Sequence, residues 1–176
     1  MKTTEHCKDN KPIVNSLLTG LFYLIFGWSL DFGDNTKVLF MILMLFLQGL
    51  TFPLTTCYYK TEKKLYSDVQ KVTHLAISDT IYYGSVWLFS GEVHVKNMSV
   101  LAGFLGSLLF LIVTKYLLKK NISLIQILLT SIGSGLVFFQ YDISGHNGLL
   151  LGTSVFLWTI VNGLTLNIEY RKAQYR

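Results

Sequence analysis

The stretch THLAISDTIYYGSVW, Thr73 to Trp87, decides how the chain is read, because it sets Asp79, His74, Tyr82 and Tyr83 inside a run that otherwise has the character of a membrane span. A carboxylate in hydrocarbon is expensive. It is tolerated where it faces a bundle interior or a watery cavity, or where it is protonated. The reading of this run therefore depends on whether its neighbours are spans too.

Composition says that they are. The 176 residues are 51% hydrophobic and 14% charged, with a mean hydropathy of +0.45, against roughly 25% charged for an ordinary soluble domain. Six apolar runs follow one another at 13–30, 38–58, 72–89, 100–118, 122–141 and 148–168. Each is close to the roughly 20 residues that carry a helix across a hydrocarbon core about 30 Å thick. Strands of a barrel would alternate polar and apolar residues, and these runs do not. The expected fold class is an all-α integral membrane protein, a single polytopic domain over residues 1–176 with six transmembrane helices. No linker, low-complexity tract or internal repeat divides it.

The basic residues orient the bundle. Lys2, Lys8, Lys11, Lys60, Lys63, Lys64, Lys71, Lys115, Lys119, Lys120, Arg171, Lys172 and Arg176 fall on one side of a six-span arrangement, leaving only Lys37 and Lys96 on the other, beside Asp31, Asp34, Glu92 and Asp142. Basic loops stay inside, so both termini are expected in the cytoplasm of a plasma or inner membrane. Removing one span from the count would scatter this segregation. The net charge of +5 then belongs to topology and anionic headgroups, and no direct nucleic-acid binding is expected. Trp28-Ser29-Leu30-Asp31 is unsuitable as a cleavage site, so the first run is expected to stay as a span.

Depth singles out a group of residues. At about 1.5 Å per residue, Asp79 lies about 12 Å from the inner edge, and Pro53 and Asn162 lie at a similar level. Pro53 returns no N–H to the preceding turn and should kink the second span. On the third span, His74, Ser78, Tyr82 and Ser85 fall on one stripe at helical spacing, and Asp79 and Tyr83 on another. Tyr83 is placed to donate to Asp79, with Gln48, Thr51, Asn162 and Thr159 as further candidate partners. The candidate solute or ion path is thus Asp79, Tyr83, His74, Ser78, Tyr82, Gln48 and Asn162.

Other features have plainer accounts. Ser16/Gly20, Gly103/Ser107 and Gly148/Gly152 place small residues four apart, and SIGSG, Ser131 to Gly135, adds a looser set that could hinge the fifth span. Gln126 reads as glue between helices. Tyr58, Tyr59, Tyr66, Tyr116, Tyr170 and Tyr175 suit the inner interface, Trp28, Trp87 and Tyr141 the outer one. Trp158 lies near mid-bilayer and should fill space by the second-span kink. In YDISGHNG, Tyr141 to Gly148, the serine, histidine and aspartate read as a turn, with Asn147 or Ser144 capping the last span. A metal site from Glu92, His94, Asp142 and His146 lacks a spacing signature. Cys7 and Cys57 fall on the reducing side and need no special role. No cofactor, metal or catalytic residue is expected.

In size and span count the chain resembles the six-helix substrate-binding subunits of vitamin transporters, which implies a solute site inside the bundle. A weaker resemblance to small membrane hydrolases that use a threonine and a histidine would put Thr51 or Thr55 at a nucleophile's position, without a mid-membrane histidine partner. The leading expectation is a channel or transporter-like protein for an ion or small polar solute, working as a homo-oligomer. The alternatives are a non-enzymatic membrane effector whose basic loops dock a soluble cytoplasmic partner, and a lipid-acting hydrolase. Cysteines introduced at Asn35, Asn97 and Gly145 should react with an impermeant maleimide on intact cells, and those at Lys63 and Lys119 only after permeabilisation. Outside labelling at Lys119 would rule out six spans.

Overall fold

A computed structural model describes residues 11–30, 48–58, 66–90, 98–144 and 147–174. Residues 38–47 of the second run, the lysines at 60, 63 and 64, and Glu92, His94 and His146 lie outside the described residues. Helices are α1 (Lys11–Leu30), α2 (48–56), α3 (Asp68–Ser90), α4 (Met98–Leu117), α5 (Leu124–Leu136), α6 (Phe139–Ser144) and α7 (Gly148–Gln174). No strand occurs among the described residues. Three helical stretches are long and apolar enough to cross a membrane: Met98–Leu117, Leu124–Ser144 and Gly148–Ile168. They mark a membrane protein. α1 carries a shorter apolar stretch, Pro12–Trp28, and α3 has 23 residues but too many polar ones.

Local chemistry sets where the helices begin. Ser67 and Gln70 form a reciprocal cap at the head of α3: Gln70 N–H donates to Ser67 Oγ at 3.2 Å and Ser67 N–H to Gln70 Oε1 at 3.0 Å. Ser123 and Gln126 repeat it on α5 at 3.1 and 3.0 Å, which corrects the reading of Gln126 as interhelical glue. Each pair satisfies two backbone donors that a helix start otherwise leaves open. Asn147 Oδ1 accepts from Leu150 N–H at 2.8 Å and caps α7, as expected. Asp142 reaches from α6 to the head of α4, accepting from Ser99 Oγ and, at 3.3 Å, from Val100 N–H.

The run expected as one span over 122–141 comes as two helices, α5 and α6, with a turn at 137–138. The turn closes tightly, Phe138 N–H donating to Gly135 O at 3.0 Å. Ser154 Oγ on α7 donates to the Val137 carbonyl at 3.0 Å. A backbone break at membrane depth survives only when such groups are met by neighbours.

The helices close into a ring. α1 packs on α7, α7 on α5, α5 on α4 and α4 on α3. Hydrogen bonds complete the circuit through α2: Tyr82 OH on α3 donates to Gln48 Oε1, Tyr23 OH on α1 pairs with Thr51 Oγ1 at 2.7 Å, and Asn15 Nδ2 donates to Thr55 O at 2.8 Å. Rings from three helices fill the middle, with Phe52 5.5 Å from Phe110 and 5.4 Å from Trp158. Trp158 does sit beside Pro53, as expected.

The distribution of polarity is inverted relative to a soluble domain. Leu18, Phe22, Ile25, Ile125 and Leu129 are more than half exposed, while Ser16, Ser107, Thr114, Ser131, Thr159 and Asn162 show no surface at all. The seam between α1 and α7 depends on small residues. A Cβ on Gly27 would lie 2.6 Å from both the Gly148 carbonyl and the Gly152 Cα, and one on Gly163 would overlap Ser16. Backbone cannot move aside as a side chain can. Gly27→Ala should therefore destabilise the protein by about 1–3 kcal/mol, read as a lower Tm in detergent. Gly84→Ala, with nothing within 4 Å, should leave the Tm unchanged or raise it.

Candidate functional site

The stripe read from helical spacing does turn inward on α3. His74 is fully buried and Ser78 nearly so, Tyr82 reaches Gln48 on α2, and Ser85 faces Gly106 on α4. Both ring nitrogens of His74 are engaged: Nδ1 with Tyr58 OH at 2.6 Å and Nε2 with Thr114 Oγ1 at 2.9 Å. In a neutral imidazole one nitrogen donates and the other accepts, and each hydroxyl can take either role. Phe110, with its ring 5.9 Å away, walls the imidazole on a further side.

One turn further along, Ser78, Gln48 and Tyr82 line a cavity of about 20 Å³, together with Gly49, Phe52, Pro53, Ile81, Gly106, Phe110 and Trp158. Gln48 is 1% exposed and Ser78 3%, yet Gln48 Nε2 and Ser78 Oγ have no hydrogen-bond partner in the protein. Buried polar atoms are nearly always paired, so two unpaired ones at one small space call for an explanation. Asp79 stands beside this file. Its Oδ1 is buried without a partner and lies over Gly49, where any Cβ would strike it.

The other expected members do not line this cavity. Tyr83, one turn from Asp79 on α3, is 44% exposed. Thr159 bonds the carbonyls of Phe156 at 2.7 Å and Ser16 at 3.5 Å, and belongs to the α1–α7 seam. Asn162 is a packing node: it accepts from Ser107 Oγ at 2.7 Å and donates to Ser134 Oγ at 3.0 Å and the Trp158 carbonyl at 2.9 Å. Three helices meet there, and Asn162 is not among the residues lining the cavity.

Sequence reasoning missed Tyr58 and Thr114 as the partners of His74. Tyr58 had an adequate explanation as an interface aromatic, and Thr114 stands 40 residues from His74. A threonine–histidine pair thus exists inside the bundle, at Thr114 and not at Thr51 or Thr55. Neither Thr114 nor His74 exposes surface. Among the described residues no cluster of three or more His, Cys, Asp or Glu is placed to hold a metal.

No family model matches the chain, and no curated protein or solved structure is significantly similar to it. The site must be read from its geometry. If Asn162 is a node of packing, Asn162→Ala should lower the Tm in detergent, at a cost of about 1–2 kcal/mol. Any transport, normalised to folded protein, should be unchanged, and a specific loss of transport at unchanged Tm would restore Asn162 to the path.

Proposed function

We propose that the chain is a six-span helical bundle with both termini cytoplasmic, in a plasma or inner membrane, and that it binds or passes an ion or small polar solute along the polar file on α3. The observation that carries this reading is the pair of unpartnered, buried polar atoms, Gln48 Nε2 and Ser78 Oγ, at one cavity. A helix in contact with lipid gains nothing from such groups, and a bundle that needed only packing would do better with apolar ones. The narrowness of the interior limits the candidates. Phe52, Phe110 and Trp158 fill the centre, so a wide aqueous pore through one protomer has no room.

Asp79 gives the test. Asp79→Asn keeps the shape of the side chain over Gly49 and removes its charge. In proteoliposomes the variant should fold and reconstitute like the parent while flux falls at least tenfold, because the variant lacks a charge placed at depth. Asp79→Leu should impair folding as well, since it removes both charge and hydrogen bonding. Parental flux in well-folded Asp79→Asn protein would leave Asp79 as a packing residue.

A further inference from the structure

Pro53 interrupts α2 beside the cavity, and the interruption bears on what the cavity holds. In an α-helix the carbonyl of residue 49 accepts from the N–H of residue 53, and a proline has no N–H to give. Gly49 and Pro53, the two residues between which that bond would run, both line the cavity. We propose that one resident structural water completes α2 at this point, bonding the Gly49 carbonyl, Gln48 Nε2 and Ser78 Oγ at once and so tying α2 to α3.

Pairing fixes the roles. Tyr82 OH donates to Gln48 Oε1, which leaves the other end of the amide, Nε2, as an N–H donor that no protein atom meets. Ser78 Oγ is likewise unmet, and both side chains are more than nine-tenths buried. The water accepts from Gln48 Nε2, donates one hydrogen to the Gly49 carbonyl and meets Ser78 Oγ with its remaining hydrogen or lone pair. About three bonds is the usual number for a buried water.

Volume fixes the count. A buried water needs about 10–15 Å³, and the cavity provides about 20 Å³, room for one and not for two. Dry cavities in proteins are lined by apolar groups, whereas this one carries two polar side chains. A hard metal cation takes about six oxygen ligands and would meet an N–H on one wall and the rings of Phe52, Phe110 and Trp158 on others.

The consequence is mechanical. Direct bonds join α2 and the residues after it to α3 at Gln48–Tyr82 and Tyr58–His74. Ser78 lies one turn from each along α3, so the water adds a link between them, on the turn of α2 that Pro53 weakens. This inference is independent of the path: a resident water is compatible with a file that conducts and with one that does not.

An experimental structure of the full-length protein that resolves waters should show one density within hydrogen-bond distance of Gln48 Nε2, Ser78 Oγ and the Gly49 carbonyl. Its absence from an otherwise well-resolved cavity would overturn the proposal. Melting in detergent gives a second test, because Gln48 and Ser78 share no direct side-chain bond, yet losing both ends of a bridge costs little more than losing one. In a Gln48→Met background, Ser78→Ala should lower the Tm by no more than about half of its effect in the parent. Ser78→Ala combined with Ile81→Val, at a residue that lines the same cavity without a polar side chain, should give additive losses. Additive losses in the first pair would overturn the bridge. Equal coupling in both pairs would overturn it as well, in favour of simple collapse of the cavity. Should a variant fail to fold, the density decides.

Discussion

Hydrocarbon accepts no hydrogen bonds, and the rest of the structure follows from that constraint. Every polar group carried into such a medium must find a partner inside the bundle. Asn162 shows the rule fulfilled: a residue with no exposed surface bonds Ser107 on α4, Ser134 on α5 and the Trp158 carbonyl on its own helix. The break at 137–138 shows it at a turn, where Ser154 Oγ meets the Val137 carbonyl. Ordinary apolar cohesion cannot hold helices together when the solvent is itself apolar, so close backbone contact must serve. The α1–α7 seam, with Gly27 against Gly148 and Gly152, is where that contact is tightest.

Helical period alone recovered the inward face of α3, because residues three and four apart share a face whatever that face meets. His74, Ser78, Tyr82 and Ser85 were legible in this way, and so were the small pairs at Ser16/Gly20 and Gly148/Gly152. Period does not say which neighbour a face will meet. The links from His74 to Tyr58 and Thr114, and from Asn162 to Ser107 and Ser134, could not be derived for that reason. Thr159 was assigned to the neighbourhood of Asp79 on depth, but depth is shared by every helix, and Thr159 belongs to the α1–α7 seam. Two signals were present and unread. Ser67-x-x-Gln70 and Ser123-x-x-Gln126 are sequence signatures of reciprocal caps, and they move the starts of two helices, α3 from 72 to 68 and the next from 122 to 124. The turn at 137–138 follows the expected hinge at SIGSG by only two residues, yet its support comes from Ser154, which is remote in sequence.

The centre of the ring and the file on α3 answer different demands. Phe52, Phe110 and Trp158 come together from three helices and remove the space that a pore would use. They also supply one wall of the small cavity that Gln48 and Ser78 face. An apolar wall opposite two unpaired polar atoms is a poor solution for stability, since each unsatisfied buried group costs about 1–3 kcal/mol. Leucine and alanine at 48 and 78 would avoid that cost.

Two other groups bear on whether the arrangement is accidental. Gly49 leaves room for the Asp79 side chain above it, where any Cβ would collide, and Pro53 withholds an N–H from the same turn of α2. A glycine and a proline within five residues weaken a helix, and here both border the cavity. A sequence selected for packing alone would have little reason to combine a helix-weakening pair, a half-buried carboxylate with one unpaired oxygen, and two further unpaired polar atoms in one region of the bundle. Local rules broken together at one place are what a retained site would leave, and on the proposed reading it is the agreement of these departures, more than its charge, that links Asp79 to the file.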